Sequence, residues 1–140
     1  MFVGISGCGK TSLMQSLSGD DLSYDKTQSI EFYRNVIDTP GEYLENRRLY
    51  SALINTATES DVVAFVLDAS RSDHHFAPNF ASAFNKEVIG IVTKTDLVND
   101  GDLNQHRDYL VSAGAKSVFV TSSKQNKGID ELRSYLKWNS

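Results

Sequence analysis

The sequence predicts an α/β fold: a doubly wound, mostly parallel six-stranded sheet with one antiparallel edge strand. Three observations carry that prediction. Strand-like and helix-like segments alternate along the chain. Two near-continuous apolar runs, VVAFVLD and VIGIVT, have the composition of central parallel strands covered on both faces. The stretch GISGCGKT, placed between a short apolar segment and one that suits a helix, has the spacing and setting of a phosphate-binding loop.

Taken in order, strands are predicted at Phe2–Val3, 29–33, 35–38, Val62–Asp68, 88–93 and 117–121. The stretch SIEFYRNVID holds two short extended pieces joined around Tyr33 and Arg34, which reads as an edge hairpin. Helices are predicted at 11–18, 46–58, 76–85, 103–113 and 129–137. In the second, Leu49, Leu53, Ile54 and Ala57 recur at helical spacing and are expected to face the sheet. Phe76, Phe80 and Phe84, also at helical spacing, are expected in the core. Gly114 follows the fourth helix, where a C-terminal glycine belongs. The first strand has only about three residues before the loop, against a usual five to six, which points to a start a few residues earlier.

The 140 residues suit one domain spanning 1–140 and leave no room for a second. The 40% hydrophobic and 23% charged content is that of an ordinary globular domain. A net charge of −4 argues against a general nucleic-acid binder. No apolar run is long enough to span a membrane, and no secretion signal precedes the first motif, so a cytoplasmic location is expected. The single cysteine excludes an internal disulfide and agrees with a reducing compartment.

Gly4, Ser6, Gly7, Cys8, Gly9, Lys10, Thr11 and Ser12 are the phosphate-loop residues. Backbone N–H groups and the positive end of the following helix make a cradle for anions. Gly7 and Gly9 let the backbone approach closely, Lys10 reaches the outer phosphates, and the Thr11 hydroxyl ligates Mg²⁺. In VIDTPG, Asp38 at a strand end can hold Mg²⁺ through a water, and the Gly41 N–H can meet a γ-phosphate. In VTKTD, Thr93, Lys94 and Asp96 speak to the base. A carboxylate facing guanine accepts two hydrogen bonds; facing adenine it is left unpaired. The Lys94 stem can lie along the base plane. The plainer alternative makes Asp96 the N-cap of the next helix. In TSSK, Ser122, Ser123 and Lys124 follow the last strand, with a backbone N–H near Ser123 expected at the guanine carbonyl. Thr27, in DKTQSIEF, is chosen as a second hydroxyl for Mg²⁺, although a plain loop threonine explains it equally well. Cys8 is read as a small turn residue rather than a redox site, His74 and His75 as loop residues, and Trp138 as packing against the last helix.

With these motifs in this order, the chain resembles the Ras-like superclass of P-loop GTPases. More narrowly, KTQSIEF followed by IDTPGEY resembles the EutP/PduV family of bacterial ethanolamine- and propanediol-utilisation proteins, over essentially the whole chain. The resemblance implies a Ras-like P-loop NTPase fold, Mg²⁺-dependent binding of GTP or GDP, and association with bacterial microcompartment metabolism. Two departures from the Ras pattern matter. Glu42 stands where Ras-type enzymes keep a water-orienting glutamine, and Ser6 replaces a loop glycine. With no arginine supplied in cis, since Arg47 and Arg48 read as solvated, γ-phosphate hydrolysis assisted by Lys10, Gly41 and Glu42 is expected to be slow.

Two rivals stand beside this reading. An acetate kinase activity, assigned to the ethanolamine branch, would take ATP and move its phosphate to a carboxylate held by Arg34, Arg47 or Lys26. Alternatively, the chain binds nucleotide without turnover and docks to a microcompartment shell or cytoskeletal protein.

Overall fold

The computed structural model describes residues 1–5, 7–18, 31–33, 36–39, 41–71 and 76–136. The strands are β1 (Phe2–Val3), β2 (Glu31–Tyr33), β3 (Val36–Asp38), β4 (Val62–Asp68), β5 (Glu87–Thr93) and β6 (Val118–Val120). The helices are α1 (Lys10–Ser18), α2 (Gly41–Glu45), α3 (Tyr50–Ala57), α4 (Asp100–Ser112) and α5 (Ile129–Tyr135). The strands form one sheet in the order β2-β3-β1-β4-β5-β6, with β2 antiparallel to β3 and the remaining pairs parallel.

The two apolar runs pair along their full length, from Val62 opposite Glu87 to Asp68 opposite Thr93. All but the first residue of each is buried, as strands covered on both faces must be. One consequence matters for the site: β4 and β5 end level, so Asp68 and Thr93 emerge side by side at the carboxyl edge. Phe65 and Gly90 are register partners and present the same face. Gly90 lets α4 settle onto that face, since a Cβ there would come within 2.9 Å of Leu110 Cδ1. Helices α1 and α5 contact each other, and the Arg133 guanidinium of α5 donates to the carbonyls of Ser16 (2.8 Å) and Leu17 (3.0 Å) at the end of α1. A cation at a helix C-terminus satisfies its last carbonyls and complements its dipole.

Three expected elements differ. The helix predicted over 46–58 is interrupted: Asn46 caps a 3₁₀ turn at Arg47–Leu49 through the Arg48 N–H, and α3 begins only at Tyr50. Leu53 and Ala57 are buried as expected, while Leu49 and Ile54 are half-buried. The helix predicted over 76–85 reduces to a 3₁₀ turn at Phe80–Ala83. Pro78 disfavours helical backbone at the residue before it, and Asn79 is left-handed at φ +59°. The N–H groups of Asn79 and Ala81 go to the carbonyls of Ser112 and Ala113 at the end of α4, both at 2.8 Å. The core assignment survives the loss of the helix. Phe76 stacks on Phe65 with ring centroids 4.6 Å apart, and Phe80 and Phe84 lie 5.5 and 5.7 Å from the same ring. Such pairs add ~0.5–1.5 kcal/mol each beyond the area they bury.

The fourth helix starts three residues early, at Asp100, because Asn99 caps it by accepting from the Asp102 N–H (2.9 Å). It ends as expected: Gly114, at φ +105°, donates to Val111, and Ala115 donates to Leu110. That pair of bonds closes a helix with a left-handed residue. Trp138, His74, His75, Thr27, Ser6, Lys26 and Arg34 lie outside the described residues.

Candidate functional site

The phosphate-loop residues come from the turn between β1 and α1. Gly4 lies so close to its surroundings that a Cβ would sit 2.6 Å from Cys8 Sγ and 2.8 Å from the Val66 carbonyl. Gly7 and Gly9 hold left-handed backbone, at φ +78° and +94°, as only glycine does without strain. Lys10 is the first residue of α1 and is buried, 7% exposed. Its ammonium lies inside the loop, donating to the carbonyls of Gly4 (2.9 Å) and Ile5 (3.4 Å) and lying 3.7 Å from Cys8 Sγ. A buried ammonium satisfied by neutral carbonyls alone is costly, and an anion in the loop relieves that cost. Burial pushes the Cys8 thiol above its ordinary pKa; Lys10 opposes the shift and the negative charge of Asp68 adds to it. Cys8 is thus an inert packing residue.

The segment after β5 is fastened directly onto this loop. The Thr93 hydroxyl donates to the Cys8 carbonyl (2.6 Å). Lys94, at φ +58°, reaches back so that its ammonium donates to the Gly7 carbonyl (3.1 Å) and to Asp68 Oδ2 (2.8 Å). Its stem runs over Gly9, where a Cβ would lie 3.7 Å from Lys94 Cε. Asp96 belongs to the 3₁₀ turn Thr95–Leu97, not to the cap of α4, so the capping alternative is overturned by Asn99. It is half-buried, and its Oδ1 accepts from the Ser122 hydroxyl at 2.7 Å.

The segment after β6 completes this side. Thr95 donates through its hydroxyl to the Thr121 carbonyl (3.0 Å), and Thr121 donates to Val92 (3.0 Å). Ser122 is fully buried and accepts from the Gln125 N–H (3.2 Å). Ser123 is half-buried and Lys124 exposed in the turn that follows. Gly128, at φ +73°, closes the turn against β6; a Cβ there would meet the Val120 carbonyl at 2.2 Å.

On the other side, Asp38 ends β3 and Gly41 opens α2, a short helix the sequence analysis did not predict. Of Thr11, Asp38 and Glu42 the structure describes the backbone. Thr39, which the sequence reading passed over, is fully buried and donates to the Phe2 carbonyl (2.7 Å), pinning this segment to β1. Arg47 and Arg48 are exposed. The other residue missed is Asp68. It is 3% exposed, and its Oδ1 accepts from the N–H (2.8 Å) and hydroxyl (2.6 Å) of Ser70 while Oδ2 takes Lys94. The usable signal was an acidic residue ending an apolar strand, the same position in which Asp38 stands.

No group of three or more His, Cys, Asp or Glu residues that could hold a metal occurs among the described residues, and no described helix is long and apolar enough to cross a membrane. A cavity of about 490 Å³, lined by Asn79, Lys86, Glu87 and Lys116 among others, lies at the amino end of β5, away from all these motifs.

Comparison with known proteins shows what the whole chain is similar to. The propanediol utilization protein PduV of Citrobacter freundii is 48% identical over 136 residues, covering 97% of this chain and 91% of that protein. A protein of Escherichia coli K12 named "Probable acetate kinase EutP" is 33% identical over 138 residues, covering 96% and 86%. Among solved structures, a bacterial selenocysteine-specific elongation factor superposes with a TM-score of 0.71 at 19% identity; the match covers 97% of this chain and 27% of that one, and speaks to the fold alone. The family model PduV-EutP, described as ethanolamine utilisation – propanediol utilisation, matches residues 1–138, and the chain belongs to that family.

Proposed function

We propose that this chain is one small guanine-nucleotide-binding domain serving propanediol or ethanolamine utilisation, and that it hydrolyses GTP slowly. The observation that carries the reading is the joint between its two halves: Thr93 and Lys94 fasten the base-reading turn onto the phosphate loop, and Ser122 aims the half-buried Asp96 carboxylate. The phosphates lie in the loop of Gly4 to Ser12 against Lys10, and the base stacks along the Lys94 stem. Asp96 accepts from the base edge, and a backbone N–H near Ser123 or Lys124 donates to its carbonyl. An adenine there leaves a partly buried carboxylate unpaired.

Mg²⁺ fits the donors available. Thr11 on α1 and Asp38 at the end of β3 stand at the same edge of the sheet, where β1 pairs with β3 through Phe2 and Asp38. A hydroxyl and a carboxylate are the hard oxygen donors this ion prefers alongside phosphate. When bound, it neutralises phosphate charge; Thr27 supplies the further hydroxyl. Gly41 opens α2 beside Asp38 and senses the terminal phosphate through its N–H. Glu42 adds a negative charge that repels that phosphate, which is the reason for slow turnover. The protein acts at a microcompartment in the cytoplasm, through a shell or cytoskeletal partner.

Competitive binding of GDP and ADP with Mg²⁺ to nucleotide-stripped protein tests the reading; a strong guanine preference is expected. Equal or better ADP binding overturns it. One observation favours a second reading, the 33% identity to a protein named for acetate kinase. Formation of acetyl phosphate from ATP and acetate would establish that reaction in place of GTP hydrolysis.

A further inference from the structure

Lys94 carries a charge that a phosphate-binding site could use, yet the structure commits that charge elsewhere. Its ammonium sits 2.8 Å from Asp68 Oδ2 and 3.1 Å from the Gly7 carbonyl. Asp68 is 3% exposed and its other oxygen is held by two donors from Ser70 at 2.8 and 2.6 Å. The carboxylate is therefore fixed in place, and it fixes Lys94 in turn. Full-length pairing of β4 with β5 makes this possible, because it brings Asp68 level with Thr93, the residue before Lys94.

We infer that Asp68 is a positioning residue of the nucleotide site: it holds the Lys94 ammonium over the Gly7 carbonyl, so that the lysine offers the nucleotide its methylene stem rather than its charge. The inference rests on the guanine-nucleotide reading given above. Two consequences follow from the charges. With Asp68 present and Lys94 paired to it, the pair is neutral toward the phosphates, and Lys10 is the loop's own cation. A long side chain with many rotamers is also ordered before nucleotide arrives, which lowers the entropy cost of binding. Were Lys94 removed, the buried carboxylate would stand uncompensated beside the phosphate loop and would repel an anionic ligand. Asp68 therefore helps binding only through Lys94, and hinders it without Lys94.

A double-mutant cycle on the full chain reads this directly, through the Kd and release rate of GDP for wild type, Asp68→Asn, Lys94→Met and the double variant. Asp68→Asn is expected to weaken GDP about 10-fold with faster release. Lys94→Met is expected to weaken it more. Adding Asp68→Asn to Lys94→Met should restore part of the loss, a reversal of sign that a merely structural role cannot give. Equal penalties for Asp68→Asn in both backgrounds, or no effect in either, overturn the inference while leaving the guanine reading intact. Failure of wild type to bind GDP removes both. If Asp68→Asn does not fold, Ser70→Ala, an exposed position that loosens the carboxylate, takes its place. It should weaken GDP a few-fold in wild type and not in Lys94→Met; the same loss in both overturns the inference.

Discussion

Two irregular segments border β5, and they are held in opposite ways. From its last residue onward, residues 93–97 are fixed by directional bonds: Thr93 to Cys8, Lys94 to Gly7 and Asp68, Thr95 to Thr121, and Asp96 to Ser122. Before its amino end, residues 76–86 are held chiefly by rings packed on Phe65, with two backbone bonds to the end of α4 and the Tyr109 hydroxyl donating to the Phe76 carbonyl. The contrast separates two kinds of order. Ring packing is non-directional, so losing it costs stability without re-aiming any polar atom. A cross-linked turn contributes little area, so losing one bond re-aims a polar group while leaving most of the stability in place.

The largest effect is expected on the apolar side. Phe65→Ala removes the ring on which Phe76, Phe80 and Phe84 converge. It should cost ~3–5 kcal/mol in urea unfolding. GDP affinity, measured on the folded fraction, should stay within a factor of two. A large loss of affinity in folded protein would mean that the two segments are coupled, and would break the comparison.

The polar side should show the reverse pattern. Asp96→Ala should erase ~2–3 kcal/mol of preference for GDP over ADP, read from the ratio of the two dissociation constants. Its thermal midpoint should move by only a few degrees, because Asp96 is half-buried on a surface turn. Ser122→Ala is the subtler version. It removes the donor 2.7 Å from Asp96 and the acceptor of the Gln125 N–H. A cost of ~1 kcal/mol is expected, seen as a several-fold weaker GDP with ADP unchanged. If both nucleotides weaken equally, Ser122 acts on the fold rather than on the carboxylate.

The same contrast explains what could be read from the sequence. The cross-linked side is written in short motifs of fixed spacing, so GISGCGKT and VTKTD singled out residues that the fold brings into contact. What those motifs could not give was Asp68, whose partner is 26 residues away and is reached only through the β4–β5 register. The apolar side was half legible. Phe76, Phe80 and Phe84 have the spacing of a helix face and are indeed buried, but burial fixes no backbone conformation. Pro78 and the left-handed Asn79 decided that instead. Helix α2 was missed because GEYLE is too short to show a period and opens on the glycine of a Pro-Gly pair, an ordinary turn signal.

The smallest expected effect comes from Cys8, where the two kinds of order meet: an apolar-like side chain buried inside the polar loop. Burial is the dominant cause of its raised pKa, from an ordinary 9.0, with the Lys10 charge and hydrogen bonds acting against it. A thiol whose pKa is higher in the folded protein holds its proton more tightly there. Its contribution to stability is therefore complete below the unfolded value of 9.0 and is lost as pH rises through the folded value. Tyr109, raised mainly by burial from 10.0, acts in the same direction at higher pH. The urea midpoint of wild type should thus fall with pH above 9.0, and Cys8→Ala should fall less steeply while keeping the part due to Tyr109. Iodoacetamide at pH about 8 should label Cys8 slowly in the native protein and rapidly in urea, since the thiolate is the nucleophile. Rapid native labelling would show that the loop opens without unfolding the sheet, and that its directional bonds hold it less firmly than the Phe65 cluster holds the segment before β5.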